Sequence, residues 1–346
     1  MTQFAAEAIA ETTAAPSSRG IAVVTGGSAG LGRAIIRGFA DAGYDVAVLA
    51  RGHDGLVGAV DDVRRAGRRG MGIVCDVGEN EQVDAAAEQI ERLLGPITVW
   101  INNAMGGIFA PFLEVSPADF TRATQTTYFG QVNGTRAALR RMKPRDRGVV
   151  VSVGSALAYR GIPLQSAYCG SKHAVVGFHE SVLTELLHDH SRVKICMVHM
   201  PAMNTLQFSW VRSKLPQHPQ PVPPIYQPKV AARAVVYAAE HPRPRMWVGE
   251  STVGTILGNR VVAGLLDRYL GRTGFSAQQT DSDPNPQFAD NLYEPVAGDH
   301  GAHGDFDDRS LHFSPQTWAT MHRGRVLAGV GLAAAGVTAA AARARR

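Results

Sequence analysis

A chain of 346 residues, 45% hydrophobic and 19% charged, has the composition of a soluble globular protein and the length for one large core plus appendages. Its formal charge of +5 is spread over Arg and Lys residues interleaved with acids; nucleic-acid binding needs those residues on one face or in one run, so DNA and RNA are excluded as partners. The three cysteines, Cys75, Cys169 and Cys196, are odd in number and lie in strand-like or helix-like segments, which reads as free thiols in a reducing cytoplasm.

Residues 1–18 read as a flexible, Ala/Thr-rich tail without the basic region and apolar stretch of a secretory signal. From residue 19 to 275, short β-rich runs alternate with helical periodicity. Strands are expected at 21–24, 45–49, 73–75, 98–101, 149–153, 193–199 and 246–248. Helices are expected at 31–41, 56–65, 81–94, 117–142, 167–188 and 229–240. Strict alternation implies parallel strands joined by right-handed crossovers, an α/β doubly wound Rossmann-type sheet. The continuous apolar runs agree, because parallel strands are buried on both faces.

Two stretches break the alternation. Segment 203–228 is proline-rich and follows the sixth strand, at the carboxyl edge where such sheets bind ligands; it reads as a substrate loop. Segment 276–316 is rich in Asp, Pro, Gly, Asn and Gln and reads as an extended or disordered tail. Within it, Asp299, His300, His303, Asp305 and Asp307 imitate a metal site but read as solvated residues, so no metal is assigned. The last segment, 317–346, contains seventeen residues without a charge at 326–342. That length meets the lower limit for a membrane span, but Ala and Gly dominate it. A packed helix is the leading reading there and weak membrane association the second.

The chemistry-bearing residues come in the same order. The first strand runs into Thr25-Gly26-Gly27-Ser28-Ala29-Gly30-Leu31-Gly32 and then a helix. Glycines allow a tight turn and a close approach to a pyrophosphate, whose charge rests on the helix N-terminus. The second strand ends in Ala50-Arg51. An NAD site places a carboxylate there; Arg51 offers a guanidinium for a 2′-phosphate, so NADP(H) is expected over NAD(H). Tyr168 and Lys172 lie four apart on one helical face, and Tyr168 alone among the tyrosines has Lys at that spacing. An ammonium beside a phenol stabilises tyrosinate, which suits a Tyr acid/base. Ser155 follows the fifth strand, at its carboxyl end.

Taken together, the 25–32 turn, Asn102-Asn103-Ala104, Ser155 and Tyr168-Cys169-Gly170-Ser171-Lys172 resemble the short-chain dehydrogenase/reductase family over about residues 20–250. The resemblance implies that Tyr168 is the proton donor or acceptor, that Ser155 orients a carbonyl, and that Lys172 holds a ribose and lowers the Tyr168 pKa. It places Gly26, Ser28, Gly30, Leu31, Gly32, Arg51, Asp76, Val77, Asn102 and Pro201 around the cofactor, together with Tyr168 and Lys172. It implies a homodimer or homotetramer packed through the two long helices. The expected activity is NADP(H)-dependent interconversion of a carbonyl and an alcohol. Met203, Leu206, Phe208 and Trp210 suggest an apolar substrate. The alternative is an NADP(H)-binding regulator or membrane-tethered scaffold.

Two positions depart from the family pattern. Thr127 stands where an Asn usually completes a proton relay, and Asn133, about 240° further round the helix, cannot simply replace it. The usual Pro-Gly after the sixth strand reads Pro201-Ala202.

Overall fold

The computed structural model describes residues 8–9, 15–283 and 289–328. Seven parallel strands organise it: β1 (Ile21–Thr25), β2 (Asp45–Ala50), β3 (Gly70–Val74), β4 (Ile97–Asn102), β5 (Val149–Ser155), β6 (Lys194–Met200) and β7 (Arg245–Trp247). Their order is 3-2-1-4-5-6-7, and Ala8–Ile9 adds an antiparallel pair to the β3 edge. Every residue of β1 and β2 is buried, as helices on both faces require. Side chains alternate between the faces, so Ala22 and Val24 enter one apolar layer and Ile21 and Val23 the other. The first layer packs against α1 (Gly30–Asp41), α2 (His53–Arg65) and Pro228–Glu240; the second packs against α3 (Asn80–Leu93), α5 (Gly130–Met142) and α6 (Ser166–His188). The chain reverses its direction across the sheet at β1 and β4, which opens a crevice at their carboxyl ends.

Three features differ from the sequence reading. The helix expected over 117–142 is broken into α4 (Pro117–Thr124), a π-helical turn at Gln125–Phe129, and α5. The loop 203–228 is tied down: it contains α7 (Gln207–Trp210), pairs Arg212–Ser213 with Ile108–Phe109, and pairs Ile225–Tyr226 with Ser310–Leu311. A helix unassigned from sequence, α9 (Glu250–Thr273), follows β7 and α8 (Pro228–Glu240), with a kink at Val262.

The described parts of 276–316 are irregular, with 3-10 turns at Ser276–Gln278 and Asp307–Arg309, and are bonded to the domain. Gln278 is fully buried and donates to the Pro163 and Gly274 carbonyls, and Phe306 and Leu292 are buried. The run closes in α10 (Pro315–Met321), whose N-cap Ser314 accepts from Thr317 N–H. Most of the apolar run 326–342 lies outside the described residues; among the described ones, no helix is long and apolar enough to cross a membrane.

Candidate active site

Thr25 ends β1, and its Oγ1 accepts from the Asn103 and Ala104 N–H groups at 2.9 and 3.1 Å. This joins the turn after β1 to the turn after β4. The two turns approach backbone to backbone. Gly26 has φ +64, and a Cβ there would lie 2.8 Å from the Ala104 Cα. A Cβ on Gly32 would lie 2.0 Å from the Gly26 carbonyl oxygen, so only glycine fits where helix and strand meet. The α1 N-terminus has no side-chain cap and opens onto a cleft of about 250 Å³ lined by Gly26, Ser28, Gly30, Leu31 and Gly32. The positive end of the helix dipole favours an anion there.

Arg51, Asp76 and Val77 line the far end of the same cleft. Asp76 accepts from Gly78 N–H at 2.9 Å and pairs with Arg122 at 2.5 Å. Asn133 donates to the Val77 carbonyl at 2.9 Å, so it clamps this loop and is turned away from the reactive end. Arg51 donates to the carbonyls of Asn291, Leu292 and Tyr293. Burial, followed by the charge of Arg122, lowers its pKa.

Asn102 requires a correction. Its Oδ1 accepts from Trp100 Nε1 and its amide donates to Thr135, both at 2.9 Å in the buried interior. Strand alternation turns its side chain toward α5, and Asn103, Ala104 and Met105 form the cleft wall instead. Asn103 also donates to the Thr25 and Gly26 carbonyls, fixing the glycine turn from the opposite strand.

At the near end the cleft is lined by Ser155, Tyr168 and Lys172. Ser155 caps the turn after β5, its Oγ accepting from Leu157 N–H at 3.1 Å. Tyr168 and Lys172 project from the first turns of α6. Lys172 is 2% exposed; its Nζ donates to the Val153 carbonyl at 2.7 Å and lies 5.6 Å from the Tyr168 ring centre. Burial pushes the Tyr168 phenol up to about 12, with hydrogen bonding to Ser155 pulling the other way. Burial also pulls Lys172 down to about 7. The expected lowering of the phenol by Lys172 is therefore not seen. Desolvation disfavours both charged forms, and an amine near half-protonation offers little charge to a tyrosinate.

Thr127 is fully buried and spends its hydroxyl on Gly106, donating to the carbonyl at 2.7 Å and accepting from the N–H at 2.9 Å. It clamps the wall after β4, and its neighbour Thr126 faces the cleft. The π-helical turn carries both residues, a placement common near functional sites.

Beyond Ser155 the lining continues through Met105, Pro201, Met203, Gln207 and Trp210. Of the apolar candidates in the loop, Met203 and Trp210 reach the cleft. Phe208 instead packs edge-on against Phe109 and Phe306, and Leu206 is absent from the lining. Of the five residues that imitate a metal site, Asp299, His303, Asp305 and Asp307 are exposed, as expected, and each also has a partner in the protein. Asp299 pairs with Arg33, His303 and Asp307 bond Gln227, and Asp305 accepts from Ser209. Among the described residues no group of three His, Cys, Asp or Glu could hold a metal. Asn291, Pro295, Val296, Gly298 and His300 also line the cleft; they escape sequence reasoning because a polar, proline-containing stretch carries no periodicity that would reveal a packing partner.

The sequence profile of the short chain dehydrogenases matches residues 20–214. An uncharacterized oxidoreductase of Bacillus subtilis, YxnA, is 30% identical over 81% of this chain and 79% of its own. A short chain dehydrogenase/reductase from Burkholderia phymatum, solved in complex with NAD, superposes with a TM-score of 0.65 at 21% identity, covering 71% of this chain and 94% of that one. An alcohol dehydrogenase from Thermococcus sibiricus, complexed with 5-hydroxy-NADP, gives a TM-score of 0.57 at 24% identity, with 66% and 95% covered. The likeness to these two structures is one of fold. With the matched profile and the cleft geometry, it leads to one conclusion: the chain belongs to the short-chain dehydrogenase/reductase family and is an oxidoreductase.

Proposed function

We propose that the protein interconverts a carbonyl and an alcohol on a small apolar molecule with NADP(H), using Tyr168 as the proton donor and acceptor. One observation carries this reading: Ser155, Tyr168 and Lys172 line the same cleft as the glycine turn of β1. The cradle fits a dinucleotide, since Gly26, Gly30 and Gly32 line it without side chains and the α1 N-terminus faces it. The turn and the first residues of α1 would hold the pyrophosphate, Asp76 and Val77 the adenine, and Lys172 a ribose. Pro201 would face the nicotinamide. When bound, the nicotinamide supplies or accepts the hydride.

The preference for NADP(H) rests on Arg51 in a position where Ala50 offers no carboxylate to a ribose hydroxyl. Bound NAD in one relative and 5-hydroxy-NADP in another is consistent with local residues deciding the choice. In the reductive direction Ser155 orients the carbonyl oxygen and Tyr168, protonated at neutral pH, gives it a proton. Met105, Met203 and Trp210 provide the apolar surroundings of the substrate. We also infer a homodimer through α5 and α6, where Val132, Leu139, Phe178 and Val182 line an open groove.

The test is carbonyl-dependent loss of NADPH absorbance across a panel of apolar ketones and aldehydes, with Tyr168→Phe alongside. The variant should lose at least ~100-fold in turnover while still binding NADPH. Wild-type rates in Tyr168→Phe would overturn the assignment.

A further inference from the structure

The segment after α9 does more than decorate the domain. Between residues 291 and 301 it runs along the dinucleotide half of the cleft, and Asn291, Pro295, Val296, Gly298 and His300 form that side of the wall. Its attachments are to the residues that would hold the cofactor. Gly30 N–H, at the start of α1, donates to the Gly301 carbonyl at 2.9 Å. Arg51 donates to three successive carbonyls, those of Asn291, Leu292 and Tyr293. Asp54, in the first turn of α2, accepts from Gly298 N–H at 3.0 Å.

The strongest attachment is ionic. Arg33 is 1% exposed and holds Asp62 through Nε at 2.6 Å. Its two remaining nitrogens grip Asp299, at 2.6 and 3.2 Å. This is the two-pronged geometry in which a guanidinium and a carboxylate bind best. The surrounding sequence accommodates it. A Cβ on Gly58 would lie 2.0 Å from Asp299 Oδ2, and one on Gly52 3.2 Å from Pro295. The stretch lies outside residues 20–214, the part of the chain that the short chain dehydrogenase profile matches.

We propose that residues 291–301 are a strap that closes over a bound dinucleotide and is fastened by Arg33–Asp299, so that the cofactor leaves only after the strap lifts. The inference rests on the reading of this cleft as an NADP(H) site and adds a cofactor-retaining element outside the matched region of the chain. The attachments lie beside the pyrophosphate and adenosine ends, away from Ser155, Tyr168 and Lys172, so the strap encloses the cofactor without filling the place of the substrate. Asp299 is a positioning residue, acting through the strap.

The experiment uses the full chain and NADPH as the probe. Release of NADPH is followed by its fluorescence in stopped flow after displacement with excess NADP⁺, for the wild type, Asp299→Asn and Asp299→Ala. Both variants leave the buried Arg33 paired with Asp62, so the fold is kept. Release should quicken by ~10-fold in Asp299→Asn, where the charge is lost, and further in Asp299→Ala, where the acceptor is lost too. Hydrogen exchange at 291–301 should slow when NADPH binds the wild type. Release rates within twofold of each other, or exchange unchanged by NADPH, would overturn the strap alone. A wild type that binds neither NADPH nor NADH would overturn the cofactor reading beneath it as well.

Discussion

The His199 imidazole supports Ser155 from the neighbouring strand: its Nδ1 lies 3.3 Å from the Ser155 carbonyl oxygen. Burial pushes the ring pKa down to about 3, so it is neutral. It donates from Nδ1 and accepts at Nε2 from the Tyr159 hydroxyl, 3.2 Å away, a tautomer assigned from these partners. In the β5–β6 register His199 faces Gly154, and a Cβ at Gly154 would sit 2.7 Å from Nδ1. Gly154→Ala is therefore expected to cost ~1–3 kcal/mol and to lower kcat by displacing Ser155. Urea unfolding and steady-state rates check this; an unchanged midpoint with unchanged kcat refutes it.

Lys172 gives the protein a distinctive stability profile. Its folded pKa, about 7, lies below the ordinary lysine value near ~10.4. Between those pH values the unfolded chain holds a proton that the folded chain has released, so stability rises with pH across roughly 7 to 10. Below pH 7 both states are protonated and the contribution is flat. Above pH ~10 the trend reverses, because Tyr168, pushed up to about 12, keeps its proton in the folded state only. Lys172→Met should remove the rise between pH 7 and 10. Denaturant midpoints measured across that range for both proteins decide the matter, and equal slopes would count against it.

Arg51 should separate the two cofactors. Arg51→Gln removes the charge that we propose meets a 2′-phosphate, and a charge-assisted bond contributes ~1.5–3 kcal/mol. The KM for NADPH should rise by ~10- to 100-fold, and that for NADH by less than about threefold. A parallel rise in both would mean that Arg51 acts only by holding the carbonyls of residues 291–293.

Thr127→Val keeps the shape of the side chain and removes both bonds to Gly106. A buried N–H and a buried carbonyl then lose their partner, at ~1–3 kcal/mol. Thermal unfolding should show the loss, and a Tm within a degree of the wild type would be incompatible with the clamp described here.

Much of this architecture was legible in the residues. Parallel strands such as β1 are apolar throughout because both faces are covered, and helices such as α1 carry a clear apolar stripe in Leu31, Ile35, Ile36 and Phe39. Tyr168 and Lys172 share a face because they share a helix. The family motif points to Asn102 for the cleft, but motif membership does not tell which face of the strand a side chain takes, and here Asn102 turns inward while Asn103 lines the cleft. Helix α9 was missed because four glycines, at 254, 258, 264 and 271, interrupt it and its apolar residues Val261, Leu265 and Tyr269 face outward. The wall at 291–301 was unreadable for another reason: apart from Asp299, it is held largely through backbone groups, which every residue type has.

Asn204 couples these irregular parts to one another. Fully buried, it donates from its backbone to Tyr226, accepts from the Phe306 N–H at 3.0 Å and donates from its amide to Asp307 at 2.7 Å. The proline-rich loop and the polar tail thus share this amide, in addition to the strand pairing of Ile225–Tyr226 with Ser310–Leu311. A protein shortened after Phe275 would therefore be an unfinished one: Asn204 would lose its partners at Gly304, Phe306 and Asp307, and the loop that carries Met203 and Trp210 into the cleft would lose its outer support.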